Sequence, residues 1–111
     1  NGLEAENETV LVFSHVSHVY TNGGSMYITY LYRRSQDPYQ TLARWRKLKT
    51  AASQAIVALG GTITHQHGVG LDHKPYLPAE KGDLGMDLIK NIIKNVDPNQ
   101  IMNRGKLIDL D

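Results

Sequence analysis

Two apolar segments joined by a turn begin the regular pattern of this chain. Residues 9–20 have the sequence TVLVFSHVSHVY, which is rich in β-branched and aromatic residues and predicts a long strand with both faces partly covered. Asn22-Gly23 follows, and this pair tolerates the positive φ angles of a two-residue hairpin turn. Residues 25–33 are again largely apolar, so they are predicted to return antiparallel to the first strand.

A helical pattern follows the hairpin. Asp37-Pro38 predicts a helix start, since aspartate caps free backbone amides and proline suits the first turn, and Gln40 completes the spacing of a capping box. The helix is predicted to end near Leu59, where Gly60 stops it. Apolar residues at three- and four-residue steps predict one stripe packed on the sheet: Leu42, Trp45, Leu48, Ala52, Ala55, Ile56 and Leu59.

The second half of the chain predicts one more strand and one more helix. Residues 62–64 favour a strand, Pro75 and Pro78 favour an irregular link, and the tail from residue 101 is predicted to lie across the rest. The helix is indicated by apolar residues at helical spacing: Leu84, Leu88, Ile89, Ile92, Ile93 and Val96.

Together these elements predict an α+β fold. It comprises an antiparallel sheet of at least three strands covered by helices, in the order β-hairpin, helix, strand, helix and C-terminal tail. So small a sheet leaves edges, and an uncovered face or edge is expected if another domain or further strands lie there in a longer enzyme. Residues 1–8 are polar and predict a lead-in to a single domain at residues 9–111.

Candidate chemistry is concentrated in residues 60–75, GGTITHQHGVGLDHKP, which hold three of the five histidines and four of the ten glycines. Side chains alternate faces on an extended chain, so His65 and His67 are predicted to share one surface while Gln66 points to the other. An imidazole can exchange a proton near neutral pH or bind a metal ion. A purely structural role fits the pattern equally well: the histidines would be half-exposed polar residues at a strand end, and the glycines would serve only the turn.

Composition excludes several classes of protein. The chain has 111 residues, 41% of them hydrophobic, and a net charge of +1, which fits one small folded domain and gives no reason to expect a nucleic-acid partner. No apolar run approaches the roughly 20 residues that span a bilayer, and no signal-peptide pattern is found, so a soluble, cytoplasmic protein is expected. The absence of cysteine excludes disulfides and thiolate metal sites.

Several separated motifs occur in one order along residues 10–107. They are THQHGVGLDHKP at residues 64–75, EKG at 80–82, LGM at 84–86, DPN at 97–99 and IMNRGKL at 101–107. They resemble the C-terminal region of FAD-linked oxidases of the vanillyl-alcohol-oxidase type, and the alkyldihydroxyacetonephosphate synthase-like branch is the most similar. The resemblance implies that an N-terminal domain holds most of the FAD, while this region caps the flavin and supplies the substrate pocket.

The resemblance therefore implies a fragment of a longer FAD-dependent oxidoreductase. An N-terminal FAD-binding domain and a small-molecule substrate are its expected partners, and a homodimer is compatible with the pattern. The chain begins at Asn1, without an initiator methionine, and has no glycine-rich segment at a strand–helix junction to hold a dinucleotide. We expect it to be inactive and free of FAD by itself.

The resemblance also implies roles for particular residues. The run Gly23-Gly-Ser-Met-Tyr27 matches a functional tyrosine of the synthase branch, so Tyr27, His65 and His67 are the expected catalytic residues. Gln66 and His73 are expected to bind substrate. Two further residues, Asn103 and Lys106, are expected to approach the flavin.

Two departures from the branch bear on the reaction. The synthases carry three consecutive histidines, and here the middle one is Gln66, which cannot act as an acid or base near neutral pH. The usual Asn-Pro-Gly-Lys is here Asn103-Arg-Gly-Lys106. The first departure favours oxidation of a small hydroxy acid over alkyl transfer in ether-lipid synthesis, which stays as an alternative.

Two other interpretations remain open. His65, His67 and His73 could form an open zinc site of a metal-binding module. A regulatory module that associates through its sheet would explain the size of the chain but not its motifs.

His15 and His18 are predicted to lie on opposite faces of the first strand because their spacing is odd, so at most one of them would join the histidine surface.

Overall fold

The computed structural model describes residues 8–110, so most of the predicted lead-in, residues 1–7, lies outside the described residues. The chain divides into two compact units, Asn1–Ala52 and Ser53–Asp111. The boundary between them falls within the helix Pro38–Ala58. The elements are β1 (Val10–Tyr20), β2 (Gly23–Tyr32), α1 (Pro38–Ala58), α2 (Gly70–His73), a 3-10 turn (Lys74–Tyr76) and α3 (Leu77–Val96). Along residues 8–110, no helix is both long and apolar enough to cross a membrane.

The predicted hairpin is confirmed, with its turn one residue earlier than expected. Tyr20 pairs with Gly23, so Thr21 and Asn22 form the two-residue loop. The ladder is regular except at one β-bulge, where Val16 lies opposite Met26 and His18 lies opposite Ser25. Ser17 is the extra residue of this bulge, and its hydroxyl donates to the Ser25 carbonyl oxygen at 3.2 Å.

The α+β class is confirmed, but the sheet of the described residues has only two strands. Residues 62–64 form no strand, because the backbone N–H of Ile63 donates to the Glu80 carboxylate at 2.9 Å instead of to a neighbouring strand. Within the unit Asn1–Ala52 both faces of the hairpin are open, and its cover by helices stays a prediction. Val16 and Met26 on one face are each 57% exposed, and Phe13 on the other is 56% exposed.

Helix α1 starts and stops close to the predicted residues, although one predicted cap is wrong. The Asp37 carboxylate accepts the backbone N–H of Tyr39 at 2.9 Å, as expected of an N-cap. Gln40 does not complete a capping box, since its side-chain oxygen accepts from the Ser35 hydroxyl at 3.0 Å. At the other end, Gly60 adopts a φ of 72° and stops the helix with a bond to the Val57 carbonyl at 3.0 Å.

The second unit begins its helices earlier than predicted. Residues 70–76 are helical where an irregular link was expected, and α3 starts at Leu77 rather than near Leu84. Gly82 interrupts α3 with a non-helical backbone (φ 66°, ψ 174°), which explains why the apolar periodicity becomes regular only after it. The buried apolar residues of this unit are Ile63, Leu77 and Ile108.

Asp97 closes the C-terminal end of α3. Only 5% of this residue is exposed, and its two carboxylate oxygens accept the backbone N–H groups of Ile101 at 3.0 Å and Met102 at 2.8 Å. The start of the tail is therefore fixed at the end of α3 by two hydrogen bonds to a charged acceptor, which are stronger than those between neutral groups.

We predict that Asp97→Ala destabilises the chain by about 2 kcal/mol, because it removes two charge-assisted hydrogen bonds at a buried position. Urea unfolding followed by circular dichroism measures the loss. Asp87→Ala, at an exposed position of the same helix, is the matched control and should change stability by less than about 0.5 kcal/mol. Equal stability of the two variants would contradict the role of Asp97.

Candidate functional site

The central candidate is the histidine loop, defined here as residues 61–69. His65, Gln66 and His67 lie at successive bends and are all exposed. The predicted shared face of His65 and His67 assumed an extended strand, and that assumption is wrong. Their roles in catalysis stay predictions that no longer depend on strand alternation.

Three side chains hold the histidine loop in shape. Glu80 binds the N–H of Ile63, as described above, and fixes the start of the loop. The Thr64 hydroxyl donates to the Gly68 carbonyl oxygen at 2.8 Å, and His73 Nδ1 lies 3.4 Å from the same oxygen. His73, expected to bind substrate, therefore also contacts the loop backbone through one ring nitrogen.

Glu80 is the electrostatically distinct group of this loop. The Lys81 ammonium lies 2.8 Å from its carboxylate, and this hydrogen bond, followed by that from Ile63 N–H, lowers the pKa of Glu80 below its ordinary value of 4.5. The charged form of Glu80 is thus favoured in the folded chain. The loop is held by a carboxylate that stays ionised throughout the physiological range.

The metal-module interpretation does not fit the geometry. Within residues 8–110, no group of three or more His, Asp or Glu side chains is arranged to hold a metal ion. His65, His67 and His73 therefore do not form the zinc site that their spacing allowed, because the loop bends where a strand was expected.

Tyr27 lies on the hairpin, stacked on His15. The ring centroids are 5.3 Å apart with an interplanar angle of 20°, and the two residues are direct cross-strand partners. Tyr27 is 46% exposed. The phenol is thus available to a ligand while its ring is supported from one side.

The bulge reverses the prediction for His15 and His18. Their partners, Tyr27 and Ser25, are two residues apart on a regular strand and share a face, so His15 and His18 share that face too. His18 stacks on Tyr20 with ring centroids 6.3 Å apart. One surface of the hairpin, the aromatic–histidine face, therefore carries two such stacked pairs: His15–Tyr27 and His18–Tyr20.

Asn103 and Lys106, the expected flavin-contacting residues, lie on one turn of the tail. The N–H of Lys106 donates to the Asn103 carbonyl oxygen at 3.3 Å. The Lys74 ammonium anchors this turn through the Gly105 carbonyl oxygen at 3.0 Å and the Asp109 carboxylate at 2.7 Å. Beside it, a mainly apolar cavity of about 370 Å³ opens between the tail and the end of α3.

The predicted site residues are divided between the two units. Tyr27 belongs to Asn1–Ala52, and the remaining predicted residues belong to Ser53–Asp111. The support that His15 gives to Tyr27 was not predicted, because a bulge leaves no signal in hydrophobic periodicity. The role of Glu80 was not predicted either, since its only signal in the sequence was its place in the EKG motif.

Comparison with known proteins assigns this chain to a family. The model of the family "FAD linked oxidases, C-terminal domain" matches residues 2–107. The chain belongs to this family. The predicted resemblance is confirmed. Membership of this FAD-linked family implies FAD as the cofactor.

Curated relatives of the family differ in the reactions their names describe. The chain is 34% identical over 101 residues to an alkyldihydroxyacetonephosphate synthase of Caenorhabditis elegans, covering 91% of this chain and 17% of the enzyme. It is 28% identical over 107 residues to the FAD-linked oxidoreductase YgcU of Escherichia coli, covering 95% and 22%. A mitochondrial D-lactate dehydrogenase of Arabidopsis thaliana is 46% identical over 54 residues, covering 49% and 10%.

The chain thus spans about a fifth or less of the length of these relatives. No solved structure matches it.

We predict that Glu80→Gln removes an acid-sensitive part of the stability. Since the folded-state pKa is lowered, the contribution of Glu80 is complete above 4.5 and is lost as the pH falls through the folded-state pKa. Urea unfolding at neutral pH should show the variant less stable by about 1 kcal/mol, and this difference should vanish once the pH falls below the folded-state pKa of Glu80.

Lys81→Met is the matched variant for this experiment. It removes the ammonium but keeps the bond from Ile63 to Glu80, so its acid sensitivity should lie between those of the wild type and Glu80→Gln. A stability difference between wild type and Glu80→Gln that is independent of pH would contradict the role of the carboxylate.

Proposed function

We propose that this domain is the substrate-binding part of an FAD-dependent oxidoreductase that oxidises a small hydroxy acid. The observation that carries the proposal is the exposed Tyr27 phenol, against whose ring the imidazole of its cross-strand partner His15 stacks. A side chain that can take or return a proton is kept open to a ligand there, within a domain of an FAD-linked family.

Oxidation of a hydroxyl carbon requires two events that different groups can supply. Acceptance of the hydride is the chemistry that bound FAD would supply. The O–H proton must pass to a base, and Tyr27, His65 and His67 are the proposed proton-handling groups of this chain. Gln66 and His73 are proposed to bind the substrate carboxylate, for which their N–H groups are suitable donors.

The tail turn suits a supporting contact with FAD. Asn103 offers an amide and Lys106 an ammonium on the same exposed turn, and both groups are donors that would suit flavin oxygens or phosphate. The neighbouring cavity, of about 370 Å³, lies at the small end of the range for ligand sites. We therefore propose that a separate N-terminal domain binds most of the FAD.

The second candidate is an alkyldihydroxyacetonephosphate synthase-like transferase. It is favoured by the relatives of that name, which align with most of this chain. The replacement of an ionisable histidine by Gln66 argues for the oxidase, because a proton-transfer group present in the synthase branch is missing here.

The substrate test uses the full-length, FAD-loaded protein under anaerobic conditions. A panel of small 2-hydroxy acids, beginning with D-lactate, should bleach the flavin absorbance if the oxidase proposal is correct. Palmitoyl-dihydroxyacetone phosphate with a fatty alcohol tests the alternative, since exchange of the acyl for an alkyl group leaves no net flavin reduction. Formation of the ether product, without bleaching by any hydroxy acid, would reject the oxidase in favour of the transferase.

We predict that Tyr27→Phe and His67→Ala each lower kcat of the full-length enzyme by at least about 100-fold, the usual contribution of a general acid or base. Flavin content and thermal stability should be nearly unchanged, since Tyr27→Phe loses only a hydroxyl and His67 is exposed. Tyr39→Phe, at an 82% exposed position of α1, is the matched control. Wild-type turnover in Tyr27→Phe would remove the tyrosine from the mechanism.

A further inference from the structure

The aromatic–histidine face contains a pairing that the proposed reaction has not used. Tyr27 projects from the middle of β2, and its ring contact within the described residues is with His15. A tyrosine that is 46% exposed on a two-stranded ribbon would otherwise have several rotamers available. The stacked imidazole blocks one side of the ring and so restricts the direction in which the hydroxyl points.

We propose that His15 is a positioning residue for the Tyr27 hydroxyl. This inference rests on the proposed function, in which Tyr27 transfers the substrate proton. His15 acts through the face of its ring, by holding the phenol in one orientation, and requires no proton transfer of its own. A correctly oriented acid or base reacts faster because less of the bound time is spent in unproductive geometry.

The bulge at Ser17 fixes which histidine has this function. The Ser17 hydroxyl lies 3.2 Å from both the carbonyl oxygen and the hydroxyl of Ser25, and these contacts hold the point at which the ladder shifts. His15 is thereby kept opposite Tyr27, whereas His18 is kept opposite Ser25. His18 bonds to Ser17 at 3.1 Å and stacks on Tyr20, so it shares the face but is the cross-strand partner of Ser25 rather than of Tyr27.

The test compares variants of the full-length, FAD-loaded enzyme, with D-lactate as the first probe substrate and palmitoyl-dihydroxyacetone phosphate plus a fatty alcohol as the second. His15→Ala should lower kcat about 10-fold with KM nearly unchanged, because orientation rather than binding is lost. His15→Phe keeps a flat ring in the stack and should restore kcat to within about 3-fold of the wild type. His18→Ala is the matched control, expected to stay within about 2-fold.

A double-mutant cycle separates positioning from a general structural effect. In the Tyr27→Phe background the hydroxyl is gone, so adding His15→Ala should produce no further loss of kcat. An equal loss in both backgrounds, or a loss that His15→Phe does not rescue, would overturn the inference. So would wild-type kcat in His15→Ala.

Failure of the proposed function has a different signature. Wild-type turnover in Tyr27→Phe, or no turnover with any member of the 2-hydroxy acid panel or with the second probe, removes the catalytic tyrosine and this inference with it. A slow Tyr27→Phe beside a fully active His15→Ala leaves the proposed function standing and removes only the positioning role.

Discussion

The hydrogen bond from Ile63 N–H to the Glu80 carboxylate is the contact on which the histidine loop depends. It takes the backbone donor that a third strand would have needed, and Ile63 itself is one of the few buried apolar residues of its unit. The residues that follow are then released into bends that expose His65 and His67. A charged side chain thus determines that this segment is a loop able to present imidazoles, rather than part of a sheet.

Polar anchors of this kind hold the irregular segments of the unit Ser53–Asp111. Glu80, Asp97 and Lys74 each bind backbone groups of an irregular segment, whereas no described residue of the unit Asn1–Ala52 is buried. An isolated two-stranded hairpin is marginally stable in water. The apolar side chains of the hairpin, among them Val16, Met26 and Phe13, are accordingly more than half exposed.

Local sequence patterns predicted the hairpin and α1 because their signals are local: a turn pair between β-rich runs, and an aspartate followed by proline. The third strand could not be excluded from sequence. Whether residues 62–64 pair as a strand depends on the Glu80 carboxylate, which lies 17 residues from Ile63 in the chain. The face shared by His15 and His18 was equally hidden, because one extra residue changes the parity of a strand without altering its composition. The resemblance identified the family, while the stacking partner of Tyr27 required coordinates.

The bulge at Ser17 also affects how this strand can change length during evolution. Deleting Ser17 would restore a regular ladder and leave every other cross-strand pair of β1 in place. Deleting any other interior residue would shift the residues on one side of it by one position and turn their side chains to the opposite face. Alignment gaps among relatives of unequal β1 length therefore belong at Ser17, and homologous histidines should be matched by ladder position rather than by counting residues.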